Sequence, residues 1–396
     1  MKQRVDLLNL MLFIFSPFLA IPSIIYGVIN KSKFSLLLLI LMFGLVSYMY
    51  VPNFEDDKAR YFEIYENYRD GSFMEMFTYF FLSSQDFILQ TLFYVASQID
   101  LPAQLVFSTV TIITISFIFF IYYKIINSFE NNLKLGLLSF ILLICSISYL
   151  DLLSGTRFMF ATSFVLLSFY LGLVGKKKWP FLLLFVAIFI HFSTLIFIPV
   201  YFALKFLPDK NKIFRLIFII SLIFLILPKS FAISLFEMLG LGGALQEKGK
   251  VYLDGNDFME EGLGDSFGTI VIFYVSILWI FMGYLYLFLT FKRENLFRNM
   301  VFLVGALINI FYATPTIFLR YAIVLKLLFV FMLIYELYRY KKSKAVNIFC
   351  IIFSMILTTQ IIVTRNNIEK SFMNRDSLLL ITIIDKEKMT PDDFIY

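Results

Sequence analysis

Apolar runs long enough to cross a lipid bilayer follow one another along almost the whole chain. They fall at Leu7–Ile29, Phe34–Val51, Ala103–Tyr123, Leu133–Leu152, Phe158–Val174, Phe181–Leu204, Ile213–Phe231, Thr269–Phe291, Met300–Phe318, Tyr321–Tyr338 and Ala345–Val363. Each is close to the roughly 17–25 residues that a helix needs to span the hydrocarbon core. Backbone in lipid must satisfy its own hydrogen bonds, which leaves helices or closed barrels. Runs this long, without strand-like alternation, predict an all-α polytopic bundle of about 10 transmembrane helices, taken as one membrane domain over 1–396. Composition agrees: 60% of residues are hydrophobic and 16% charged, against about 45–50% and 25% in soluble chains. The first run reads as a retained helix bent near Pro17 and Pro22 rather than a cleaved leader, since no small-residue cleavage site ends it.

The net charge of +6 is explained by basic clusters left on the cytoplasmic side of the spans. They lie at Lys31/Lys33, Lys124/Lys134, Lys176–Lys178, Lys205/Lys210/Lys212/Arg215, Lys292/Arg293/Arg298 and Arg339/Lys341/Lys342/Lys344. With these inside, the polar stretches 52–101 and 237–268 and the tail 364–396 lie outside. No basic patch with interleaved aromatics occurs in a soluble segment, so no nucleic-acid partner is expected. The single histidine, His191, and the two cysteines, Cys145 and Cys350, form no ligand pattern, so no His/Cys metal site and no cofactor are expected, an all-carboxylate site remaining open. One segment breaks the parity. Lys176–Lys178 and Lys205–Arg215 both belong inside, yet only Phe181–Leu204 separates them. A re-entrant hairpin with its tip near His191 restores the count, provided protein or water covers the turn.

Ionisable groups at membrane depth or at a span's mouth cost free energy and mark candidate sites. Arg157 follows Ser154-Gly155-Thr156 at the head of a span; it can grip a phosphate through its planar fork or simply snorkel to the interface. Arg320 heads a later span after Pro315 and two threonines, with Lys326 deeper in the same run; two cations near one mouth suit a diphosphate, and a structural pairing with carboxylates is the plainer reading. His191 can serve as a base or a hydrogen-bond donor, or be a neutral ring bonded to freed backbone. In 52–101, Asp57, Tyr61, Tyr65 and Tyr68 recur at helical spacing with Arg60 beside them. They can bind a sugar, with Asp57 or its neighbour Asp56 deprotonating a hydroxyl; otherwise they belong to an interfacial helix and its aromatic belt. Lys248, Lys250 and Tyr252 sit centrally in 237–268, a loop long enough to be functional or merely solvated.

The order of these pieces resembles the EpsG family of Wzy-type polymerases of exopolysaccharide, capsule and O-antigen. The likeness rests on Asp57, Tyr61 and Tyr65 in DDKARYFEIY, Arg157 in RFMFATSFVLLSFYL, His191 in FIHFSTLIFIPVYF and Arg320 in FLRYAIVLKLLF. It departs around Asp57, where Glu55-Asp56 precede and Lys58 follows, so Asp56 and Asp57 both stay candidates for the aligned carboxylate. The resemblance implies a C-type glycosyltransferase-like enzyme in the bacterial cytoplasmic membrane. Its substrates are oligosaccharide repeat units on undecaprenyl diphosphate, joined on the outer face, and a chain-length regulator protein is a partner such an enzyme can take. Taken together with the chemistry of the residues themselves, Arg157, Arg320, Asp57 and His191 are the expected catalytic residues, and Asp56, Arg60, Tyr61, Tyr65, Tyr252, Lys248, Lys250 and Lys326 the expected substrate-binding ones. The competing readings are a polysaccharide flippase or transporter, an O-antigen ligase and a membrane O-acyltransferase. A transporter favours paired broken helices in two halves, which this chain does not display.

Overall fold

The computed structural model describes residues 2–54, 56–69, 71–82, 87–207, 210–228, 267–341, 343–370, 379–384 and 389–395. Among these the chain is helical, and the one strand-like pairing is an isolated bridge between Asn53 and Ile395. Five helices are long and apolar enough to cross a membrane by length and composition: Ala103–Asn127, Thr156–Val174, Ile270–Leu289, Pro315–Arg339 and Lys344–Arg365. Shorter apolar helices pack between them. The chain is a helical membrane protein.

The first apolar run departs from expectation. It is two helices, α1 (Lys2–Phe15) and α2 (Ile21–Ile29), and the chain turns between them. The side chains explain why. Asp6 accepts from Ser32 Oγ at 2.6 Å, and Asn9 donates to Ser35 Oγ at 2.9 Å. The start of α1 therefore meets the start of α3 (Lys33–Met49), so α2 runs back toward it. Pro17 and Pro22, each lacking an amide donor, make that reversal cheaper than a continuous helix.

Helices α4 (Asp57–Asn67), α5 (Phe73–Leu82) and α6 (Phe87–Gln98) fill the polar, aromatic stretch after α3. The long α7 (Ala103–Asn127) lies against α3, where Ser108 Oγ donates to Gly44 O at 2.8 Å. Gly44 permits that approach: a Cβ there would stand 2.6 Å from the Ile112 side chain. Then come α8 (Leu133–Ser146), the short α9 (Tyr149–Leu153) and α10 (Thr156–Phe169), which runs on as a π-helical turn over Tyr170–Val174.

Next, α11 (Leu182–Ile190) and α12 (Phe197–Phe206) flank His191. There the backbone opens to φ −152°, ψ 111° before a 3-10 turn over Phe192–Ile196. Both flanks meet the far end of α10: Ser168 Oγ donates to Pro180 O, and the Phe169 ring contacts Phe197 and Tyr201. His191 itself lies against Phe158, at the near end of α10. The described chain continues as α13 (Asn211–Ser221), α14 (Phe267–Leu289), α15 (Leu296–Ile310), α16 (Pro315–Arg339), α17 (Lys344–Lys370) and α18 (Leu380–Ile384).

Helix α16 is the hub, with 83% of its apolar window buried. At its C-terminal end Glu336, fully buried, accepts from Arg298 Nε and from Arg293 (3.0 Å), Tyr286 Oη (2.7 Å) and Asn295 (2.9 Å). This ties α14, α15 and α16 together. The same end gathers Lys31, bonded to Phe129 O, Lys341, paired with Glu130, and Arg215, paired with Glu294. Arg320 stands sixteen residues earlier on α16, roughly 24 Å up the axis at 1.5 Å per residue. The tail returns to the Arg320 end. Ile395 bonds Pro52 O and Phe54 N, the Phe394 ring meets Phe62 edge-on, and Met389 N donates to Gln104 Oε1.

Candidate active site

The site begins with α4, whose first turn is held by its own sequence. Asp56 accepts from Tyr50 Oη at 3.2 Å and Asn53 N at 3.0 Å, closing the turn into the helix. Lys58 is fully buried. Its Nζ donates to Ser47 O (3.0 Å) and Tyr50 O (3.1 Å) at the end of α3 and lies over the Tyr50 and Phe107 rings. Burial pulls this amine from the usual lysine range down to about 7, with Asp56 opposing the shift.

The tyrosines do share one face of α4, but it faces inward. Tyr61 stacks on Phe93 at 5.7 Å, Tyr65 Oη donates to Leu101 O, and Tyr68 Oη donates to Gln90 Oε1 at 3.0 Å. Tyr65, expected to contact sugar, is thus core, because α6 and α7 present aromatic and carbonyl partners to it. Asp57 and Arg60 occupy the outer edge and pair with each other.

Helix α10 meets α4 through Arg157, whose guanidinium lies over the Tyr61 ring at 5.6 Å. The next residue, Phe158, puts its ring against His191 (5.3 Å) and Tyr321 (6.4 Å). His191 Nδ1 accepts from Ser193 N at 3.3 Å and bonds Ser193 Oγ at 2.8 Å. With Nδ1 accepting from the backbone, a neutral ring carries its proton on Nε2, which makes it a donor on that side. Tyr321 Oη donates to Ser193 O at 3.0 Å. The His191 turn is thereby fastened to the residue beside Arg320.

Between the α8–α9 link, α14, α16 and α17 lies a cavity of about 640 Å³ whose lining is both charged and apolar. Its polar lining includes Ser148, Asp151, Arg320, Lys326 and Gln360, and its apolar lining includes Ile272, Trp279, Leu319, Ile323 and Ile361. Lys326, only 2% exposed, donates to Ser148 Oγ at 2.7 Å and to Gln360 Oε1 at 3.1 Å. Ser148 in turn bonds the Asp151 carboxylate, and the charges felt at Asp151 are those of Lys326, Arg320 and, repulsively, Asp57. A buried ammonium is tolerable only when paired and hydrogen-bonded, and Ser148, Gln360 and Asp151 supply that here.

Of the residues singled out in the sequence, Arg320 and Lys326 line the cavity. Asp57 lies within electrostatic reach of its Asp151. Arg157, Tyr61 and His191 do not line the cavity; Phe158 and Ser193 connect the His191 turn to Tyr321 on α16. Asp56 is engaged in the turn before α4. Lys248, Lys250 and Tyr252 lie outside the described residues. Sequence reasoning passed over Asp151, Ser148 and Gln360. Asp151 carried a usable signal, a carboxylate at the end of an apolar run, by the same rule that selects Arg157. Ser148 and Gln360 carried none, since uncharged polar residues are scattered through these helices. Among the described residues no group of three or more His, Cys, Asp or Glu is placed to hold a metal ion.

Two cations and a carboxylate set among apolar side chains in one cavity mark this as the candidate site of a helical membrane protein. The model of the EpsG family matches residues 33–374, and the chain belongs to that family. No curated protein and no solved structure matches it. Membership suggests a membrane polysaccharide-polymerase-like role.

Proposed function

We propose that this protein is a glycosyltransferase that joins undecaprenyl-diphosphate-linked oligosaccharide repeat units into a surface polysaccharide on the outer face of the cytoplasmic membrane. The observation that carries the reading is the cavity that sets Arg320 and Lys326 among apolar side chains. Arg320 and Lys326 supply charge for a diphosphate, while Trp279, Ile272 and Ile361 supply hydrocarbon for the first isoprene units. Cations placed where the leaving diphosphate gathers charge stabilise the transition state more than the ground state. On this reading Arg157, over Tyr61, serves the second diphosphate, and Asp57 and the His191 turn serve the acceptor.

Orientation follows from the basic end of the bundle lying in the cytoplasm. On that footing α3, α7, α8, α10, α13 and α14–α17 cross the membrane, and the α11–α12 pair is a re-entrant hairpin. The return of both its flanks to the Ser168–Gly172 end of α10 supports this. The long stretches 52–101 and 237–268 and the tail then face outward, where a growing glycan is handled.

The test is the glycan itself. Cells lacking the gene should carry single repeat units where the parent shows a ladder, and an Arg320→Ala copy at normal protein level should not restore the ladder. Loss of all surface glycan points instead to export, and a full ladder from Arg320→Ala removes the assigned role of that arginine.

A further inference from the structure

We propose that Asp151, which the sequence did not single out, is the group that accepts the proton of the acceptor hydroxyl; this rests on the polymerase reading above. Among the described residues lining the cavity it is the one carboxylate. The two earlier candidates are worse placed. Asp57 is paired with Arg60 at the outer edge of α4 and does not line the cavity. His191 has Nδ1 occupied by Ser193, and its other nitrogen is a donor in the neutral ring. Asp151 lines the same cavity as Arg320 and Lys326 and lies within reach of both their charges, so a headgroup held by those cations sits beside its oxygens.

Its setting suits the task. Ser148 holds the carboxylate, and Lys326 holds Ser148 at 2.7 Å, a relay that orients Asp151 from a buried point on α16. A base must be positioned before its basicity matters. The step is a displacement at the anomeric carbon of the donor unit. The acceptor oxygen forms a bond to that carbon, and the bond from the carbon to the diphosphate oxygen breaks. The diphosphate leaves with the electron pair toward Arg320 and Lys326, and the hydroxyl proton passes to Asp151. The plain alternative is that Asp151 serves only as counter-ion to Lys326. That alternative predicts lost affinity for the anionic donor, or lost folding, rather than lost turnover.

Purified protein in proteoliposomes, supplied with lipid-linked oligosaccharide extracted from cells lacking the gene, separates the two. Asp151→Asn should lower kcat by about 100- to 10,000-fold, the range of a lost general base, with KM for the donor nearly unchanged. Asp151→Glu should recover part of the rate. Ser148→Ala, which keeps both charges and frees the carboxylate to turn, should lower kcat by about tenfold, as for a lost orienting hydrogen bond, and serves where the Asn variant does not fold. A kcat of Asp151→Asn or Ser148→Ala close to the parent's, or a loss confined to KM, overturns the assignment. Failure of the unaltered protein to make polymer overturns the polymerase reading itself, and the role of Asp151 with it.

Discussion

Replacing Lys58 by methionine should destabilise the protein increasingly as pH rises. In the folded protein the amine has a pKa of about 7 against 10.5 for the free side chain, because burial disfavours the charged form. The group is 0% exposed, so no solvent screening discounts the shift. The folded pKa is the depressed one, and Lys is a base. Between pH 7 and 10.5 the unfolded chain therefore holds a proton that the folded chain lacks, and stability rises with pH through that window. Below pH 7 both states are protonated and the contribution is constant.

The shift corresponds to about 5 kcal/mol of penalty at low pH, and between pH 6 and pH 10 about 4 kcal/mol of it disappears. Against this, the amine satisfies Ser47 O and Tyr50 O. Orphaning the two acceptors costs about 1–3 kcal/mol each. Lys58→Met should therefore be near neutral at pH 6 and destabilising by roughly 2–4 kcal/mol at pH 10, where the parent's penalty has gone. Thermal unfolding of both proteins in the same detergent, from pH 6 to 10, reads this directly. Parallel stability curves across that range would falsify the argument.

Two further perturbations follow from the packing. Glu336→Gln leaves the buried Arg298 and the half-buried Arg293 without their carboxylate and should destabilise the bundle by about 3–5 kcal/mol, measured as a lowered unfolding temperature. Phe394→Ala removes the edge contact to Phe62 and should cost up to about 3 kcal/mol at the tail. Its signature is early protease cleavage near Met389, with the remainder of the protein as resistant as before.

The spans could be read from the sequence because their signal is local: length, apolarity and flanking charge. Helices α7, α10 and α16 overlie the runs that announced them. The reversal between α1 and α2 could not, since it depends on Asp6 and Asn9 finding Ser32 and Ser35, partners that no periodicity indicates. At the site, Arg320 and Lys326 stood out because a cation in an apolar run is costly. Asp151 and Glu336 obey the same rule and were overlooked. The spacing of Tyr61, Tyr65 and Tyr68 disclosed a shared face but not its direction, which Phe93, Phe107 and Leu101 decide from distant parts of the chain. Ser148 and Gln360 acquire meaning only once Lys326 is seen to need them.

The Glu336 cluster clamps α14, α15 and α16 with ion pairs at one end, whereas toward the other α14 and α16 line the cavity and meet through the Phe273 and Phe318 rings. Pulling the clamped ends asunder would strip Arg298 of its partners, while separating the far ends disturbs mostly hydrocarbon contacts. Any widening of the cavity between α14 and α16 is therefore a fanning of these helices about a fixed pivot, like the fingers of a forceps.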